Sequence, residues 1–245
     1  METLKQLFNT WADYTNKQYL NKQWLLSKWD VYDEIDWPLQ KREIMLQMIK
    51  RALHLKKSDH FADLGCGGGW ILKEMKPCVQ KTTGVDFSLN MLKYARTICP
   101  RDQFVCGELG RLPFRDQSFD RVLCNFVFIN IEENAYILKS ITEIMRVLKK
   151  KGRALISQLP DKNGSQKYDA DKASYLQYCR EVYKIKKNTH AVCQAPLHLF
   201  NRNELTKFLK DKKISFEILD SFNPFYRLGE TSSISWRFDL LLKKN

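Results

Sequence analysis

Phe61-Ala62-Asp63-Leu64-Gly65-Cys66-Gly67-Gly68-Gly69-Trp70 reads as a hydrophobic strand that carries an acid at its end and runs straight into a glycine turn. Glycines at 65, 67 and 69 let the backbone fold tightly and approach a ligand where a Cβ would collide. Asp63 is carried toward the same crevice, so the segment implies a nucleotide-like ligand.

The spacing narrows the ligand class. A dinucleotide fingerprint, Gly-x-Gly-x-x-Gly, uses its third glycine for close helix-strand packing; here that position, three residues after Gly67, is Trp70. Asp-x-Gly-x-Gly-x-Gly, from Asp63 to Gly69, instead resembles the first motif of class I S-adenosylmethionine-dependent methyltransferases.

Working outward, the resemblance extends over most of the chain. Lys81 to Asp86 is a second strand ending in an acid, followed by the helical run Leu89 to Ile98. In the family an acid at this point takes both ribose hydroxyls, a task suited to an acceptor-only carboxylate. A third strand, Phe104 to Glu108, leads to Glu108-Leu109, which the resemblance puts near the adenine. Leu112-Pro113-Phe114-Arg115-Asp116-Gln117-Ser118-Phe119-Asp120 then resembles a stretch of the small-molecule branch that includes the ubiquinone and menaquinone methyltransferases. A fourth strand, Arg121 to Phe126, precedes a helix of apolar period through Ile137, Ile141, Ile144 and Leu148. That helix is expected to end in Lys149-Lys150-Lys151-Gly152, cations and glycine being favoured at a helix C-terminus. Arg153 to Pro160 is the fifth strand, Asn201 caps a helix to Asp211, and Phe216 to Phe222 and Ser235 to Lys243 are the last two strands.

The resemblance implies an α/β fold, a Rossmann-like, mostly parallel seven-stranded sheet with helices on both faces and an antiparallel last strand. An N-terminal helical cap over residues 1–56 and a core over 57–245 are expected, with a lid inserted after the fifth strand at about 161–200. S-adenosylmethionine is the expected cofactor and S-adenosylhomocysteine the product. Asp63, Gly65, Cys66, Gly67, Asp86, Phe87, Met91, Glu108, Leu109, Asn125 and Phe126 are the candidate cofactor residues, the last two at the methionine end.

Catalytic candidates are sparser. The sulfonium methyl is already activated, so positioning and exclusion of water are the enzyme's chief tasks. An oxygen acceptor with a high pKa also needs a base, for which His is the usual choice. His54 and His60 fall at a helix end and a strand start, whereas His190 and His198 lie between the lid and the next helix and are the candidates. Tyr14, Tyr175 and Tyr178 are candidate acceptor-wall residues, though tyrosines at helical spacing equally suit a core.

Composition bounds the rest. A chain of 245 residues can bury a sizeable single core. No apolar stretch reaches the length of a membrane span and the N-terminus lacks a signal-peptide core, so a cytoplasmic enzyme is expected. Seven cysteines without Cys-x-x-Cys spacing signal neither a disulfide framework nor a zinc site, and no metal is expected. The formal charge of +13 is spread over the sequence and reads first as solvated surface. The loop after the fourth strand, Asn125-Phe126-Val127-Phe128, lacks the prolines of amino-methylating nucleic-acid enzymes. A small organic acceptor, free or carrier-bound, is therefore expected first, methylated at oxygen ahead of nitrogen or carbon. An RNA- or protein-directed enzyme and a noncatalytic cofactor-binding subunit are the alternatives.

Overall fold

Strands β1 (His60–Leu64), β2 (Lys81–Asp86), β3 (Gln103–Cys106), β4 (Phe119–Asn125), β5 (Leu148–Pro160), β6 (Ser215–Asp220) and β7 (Arg237–Lys243) form one sheet in the order β3-β2-β1-β4-β5-β7-β6. The computed structural model describes residues 39–164, 198–221 and 237–245. The pairs β1–β2, β1–β4, β2–β3 and β4–β5 are parallel, and β7 runs antiparallel to both β5 and β6. This is the Rossmann-like arrangement expected from the sequence. The expected cap before residue 39 and most of the expected lid, with Tyr14, Tyr175, Tyr178 and His190, lie outside the described residues.

Alternation along the strands explains why both faces carry helices. Ala62, Leu64, Val122, Cys124, Ala154, Ile156, Leu240 and Leu242 belong to one apolar cluster, while Phe61, Leu123, Leu155 and Leu241 belong to another. Successive side chains of a strand point to opposite faces, so strands apolar at every position must be covered twice. Helices α4 (Asn134–Val147) and α5 (Arg202–Asp211) cover the first face with Ile137, Ile141, Ile144, Leu205 and Leu209. Helices α1 (Leu39–Leu53), α2 (Trp70–Met75) and α3 (Leu89–Ile98) cover the second with Met45, Ile49, Leu72 and Leu92. Ser88 and Asn201 cap α3 and α5 through side-chain oxygens that accept backbone N–H groups, satisfying donors the helix itself leaves open.

The lysine tract departs from its expected place. Helix α4 stops at Val147, and Leu148 already pairs with Phe119 of β4; the next paired residue on that side is Arg153, opposite Arg121. Lys149 to Gly152 are therefore extruded from the start of β5 as a bulge instead of closing the helix. Lys151 adopts φ 62 there, its N–H donates to the Lys244 carbonyl at 2.8 Å, and Lys149 pairs with Asp120 at 2.8 Å. A strand partner far away in sequence overrode the local capping signal.

Leu112 to Asp120 is a structural clamp. Arg146 of α4 donates to the carbonyls of Leu112 and Phe114 and to the carboxylates of Asp116 and Glu143. Gln117 and Ser118 return backbone N–H bonds to the Arg146 and Val147 carbonyls, and Phe114 meets Phe119 edge to face at 4.8 Å. The stretch thus fixes where α4 ends and β4 begins.

Candidate functional site

The order in which strands are added reverses between β1 and β4, which lie side by side and parallel while β2–β3 and β5 extend to opposite sides. In open α/β sheets a crevice forms outside the carboxyl ends of the strands at such a point. The glycine turn stands there. Gly65 has φ 82, and its N–H and that of Cys66 both donate to the Val85 carbonyl of β2, at 2.7 and 2.9 Å. A Cβ on Gly65 would lie 2.3 Å from a methyl of Val127, in the loop after β4. Glycine at this position lets the two loops close one side of the crevice.

Asp86 forms its polar end. One carboxylate oxygen accepts the Gly67 N–H at 2.9 Å and the other the Ser88 N–H at 2.8 Å. With the Phe87 N–H as a third donor, backbone groups use up to three of the roughly four lone-pair directions of an ionised carboxylate, leaving some acceptor capacity for a ligand. Burial pushes the Asp86 carboxyl up to about 6, opposed by the backbone N–H groups of Ser88, Gly67 and Phe87. Asp63 is buried beside it, and burial together with the Asp86 charge pushes its carboxyl up to about 8.

The crevice has about 70 Å3 of enclosed space and opens in part to solvent. Of the sequence candidates, Gly65, Gly67, Asp86, Phe87, Met91, Glu108, Leu109, Asn125 and Phe126 all line it. Asp63 and Cys66 are not among its walls: Asp63 lies beneath the turn, and the Cys66 thiol is buried in the apolar cluster under α1 to α3. Val85, Gly107, Val127, Asn130, Ile131 and Tyr136 are further walls that the sequence reading did not single out. Tyr136 is held by the Gly110 N–H, which donates to its hydroxyl at 3.1 Å. A carboxylate at one end and an apolar lining of Val85, Met91, Leu109, Val127 and Ile131 fit an adenosine-bearing cofactor, the sugar hydroxyls toward Asp86 and the flat base against the apolar wall.

At the other end, Asn125 also lines a second cavity of about 330 Å3 on the α1 face of β5 and β7. Its neighbours there are polar: the Ser157 hydroxyl donates to Asn125 Oδ1 at 2.6 Å, and the Gln158 N–H donates to Asp239 Oδ1 at 2.8 Å. Arg237 donates to Gln158 Oε1 at 3.5 Å and its guanidinium lies 5.4 Å from the Phe126 ring centre. Phe126 and Gln158 have φ 58 and 67. Non-glycine residues in the left-handed region cost on the order of 1–3 kcal/mol each and cluster at working sites. A register shift between Ile156 and Leu159 marks the bulge that carries Gln158.

His198, the described one of the two base candidates, stands one layer away. Its backbone N–H donates to the Ile129 carbonyl at 2.9 Å and its ring packs edge to face on Phe200 at 4.5 Å. Burial lowers its basicity, partly offset by a hydrogen bond with the Glu132 backbone. It braces the loop that contributes Asn130 and Ile131 to the crevice, and is not itself a wall.

Comparison with known proteins agrees with this geometry. Residues 62–156 match a family model described as a methyltransferase domain. An uncharacterized protein of Methanocaldococcus jannaschii is 30% identical over 156 residues, covering 64% of this chain and 60% of that protein. A demethylmenaquinone methyltransferase of Thermotoga maritima is 37% identical over 100 residues, 40% of this chain and 42% of that one. The matched part is thus less than two thirds of either relative. A solved S-adenosylmethionine-dependent methyltransferase of Clostridium acetobutylicum superposes with a TM-score of 0.59 at 14% identity, over 87% of this chain and 96% of that chain, a likeness of fold.

Proposed function

We infer that this chain, which carries a class I S-adenosylmethionine-dependent methyltransferase domain with that molecule as its cofactor, transfers a methyl group to a small organic acceptor, with oxygen as the first expected nucleophile. The observation that carries the reading is the Asp86 carboxylate, buttressed by the backbone N–H groups of Gly67 and Ser88 at the polar end of a crevice with apolar walls. The cofactor supplies an activated sulfonium methyl. Asp86 would hold the ribose, Leu109 and Met91 would flank the base, and Asn125 and Phe126 would face the methionine end. The small-molecule reading draws on the Thermotoga relative, whose name gives demethylmenaquinone as its substrate.

The acceptor would approach from the Asn125 side, where the second cavity begins. Ser157, Gln158 and Asp239 offer hydrogen bonds there, and Met45, Ile49, Leu155 and Leu241 offer apolar walls. Such a mixture suits an organic molecule with a polar reacting group. Alignment behind the methyl and exclusion of water would be the chain's main contributions, since holding two reactants in line is itself a large part of catalysis. No helix among the described residues is long and apolar enough to cross a membrane, and a cytoplasmic site of action is proposed.

The test is transfer of labelled methyl from S-adenosylmethionine into a panel of phenols, free carboxylic acids, carrier-bound acids and amines. Labelled product from an oxygen acceptor supports the reading; label appearing only in RNA or protein would replace it.

A further inference from the structure

Lysines scattered along the sequence converge at one end of the folded molecule. Every described connection from a helix into the parallel sheet ends at the amino edge of the strands, and these connections are where the cations lie. Lys56 precedes β1, Lys81 opens β2 opposite His60, Lys150 and Lys151 form the β5 bulge, and Lys212 and Lys213 lead into β6. All six are exposed. Five carboxylates at this edge are already engaged, Asp59 with Arg121, Asp102 with Lys76, Asp116 with Arg146, Asp120 with Lys149 and Glu217 with Lys243, while Glu74 and Asp211 are exposed there. Among the described residues no carboxylate pairs with any of the six. His60 registers the resulting field, since burial and then the charges of Lys81 and Lys149 hold its imidazole below the usual range. At the opposite edge, Asp63, Asp86, Glu108, Glu132 and Glu133 stand at or beside the crevice.

We propose that the amino edge of the sheet is a docking surface for the phosphate backbone of a nucleic acid, which anchors the protein without serving as its methyl acceptor. From β2 to β6 the cations follow the sheet across five strand spacings, about 24 Å. A row of separate point charges matches a line of phosphodiesters and reads no sequence, because lysines on phosphates position and do not specify. A bilayer partner would also call for apolar anchors, but the exposed large hydrophobics of the described residues, Ile44 and Leu89, lie away from this edge. The docking edge is separate from the acceptor site, because the crevice opens at the far ends of the strands.

The test is fluorescence anisotropy of a labelled oligouridylate with the full chain across a salt series, alongside calorimetric titration of S-adenosylhomocysteine. Binding should weaken steeply with salt, the logarithmic slope being about −0.7 per neutralised phosphate on a single strand. The charge reversals Lys150→Glu/Lys151→Glu and Lys212→Glu/Lys213→Glu should each weaken RNA binding about tenfold and flatten that slope by about 1, while nucleoside affinity stays unchanged. RNA binding that is indifferent to both reversals, or that competes with S-adenosylhomocysteine, overturns the proposal. So does binding to phosphatidylglycerol vesicles with none to RNA. The proposal is independent of the cofactor reading: loss of nucleoside binding with the salt and charge-reversal pattern intact would sink the latter alone.

Discussion

The Asp86 carboxylate accepts the backbone N–H of Gly67 at 2.9 Å, joining the end of β2 to the glycine turn after β1. One side chain thus both shapes the turn and supplies the polar end of the crevice. Asp86→Ala removes that brace and the acceptor together. Hydrogen bonds to a charged group are worth about 1.5–3 kcal/mol each, so S-adenosylhomocysteine affinity should fall at least tenfold by calorimetry. An unchanged affinity would take Asp86 out of the site.

The buried acids give the free protein a defined pH response. In the unfolded chain Asp63 and Asp86 ionise near 3.8, whereas in the fold they ionise near 8 and 6 because of burial and, for Asp63, the neighbouring charge. Below 3.8 both states hold the protons and neither residue contributes. As pH rises the unfolded chain ionises first, so stability falls, Asp86's share levelling off above about 6 and Asp63's above about 8. Asp63→Asn should therefore raise the Tm on the order of 5 °C at pH about 8 and little at pH about 4. Calorimetric melting across pH reads this directly; a Tm difference that does not vary with pH contradicts it.

Gly65 has no tolerated substitute. Its φ of 82 and the 2.3 Å approach to Val127 mean that Gly65→Ala meets backbone strain and a collision at once. A loss of about 1–3 kcal/mol in stability is expected from the strain alone, with cofactor binding weakened further. Adding Val127→Ala should recover part of the stability by clearing the collision. No recovery would mean that the turn, and not the contact, sets the cost.

Arg146 organises the clamp and stands apart from the crevice. It bonds to two carbonyls and two carboxylates, so Arg146→Ala orphans several partners. A loss of about 2–4 kcal/mol is expected in urea unfolding, discounted because the side chain is 30% exposed. Nucleoside affinity measured well below the unfolding transition should stay within about twofold, since no wall of the crevice is touched. A selective loss of binding with stability intact would give the clamp a role in the site.

Much of this arrangement was legible because its signals are local. The bounds of β2 and α3, the Asn201 cap and the crevice walls from Gly65 to Phe126 follow from strand alternation, capping chemistry and the spacing of acids after strands. What escaped depends on distant partners. Phe119 draws Leu148 into the sheet and turns an expected helix end into a bulge, and Val127 approaches Gly65 across β4 and β1. Cys66 lies in the glycine turn, yet its thiol faces the core, a direction that spacing in a non-repetitive turn does not reveal. The clustering of lysines at one edge needs the sheet order, since Lys81 and Lys213 fall on the same rim only once the strands are placed.

Calorimetric titration of the purified chain with S-adenosylmethionine and S-adenosylhomocysteine, with NAD as control, tests the central claim most directly. Micromolar binding of the first two and none of NAD is expected from the Asp86 crevice and the Trp70 position that breaks the dinucleotide pattern. Folded protein that binds neither, or that binds NAD instead, would contradict the account.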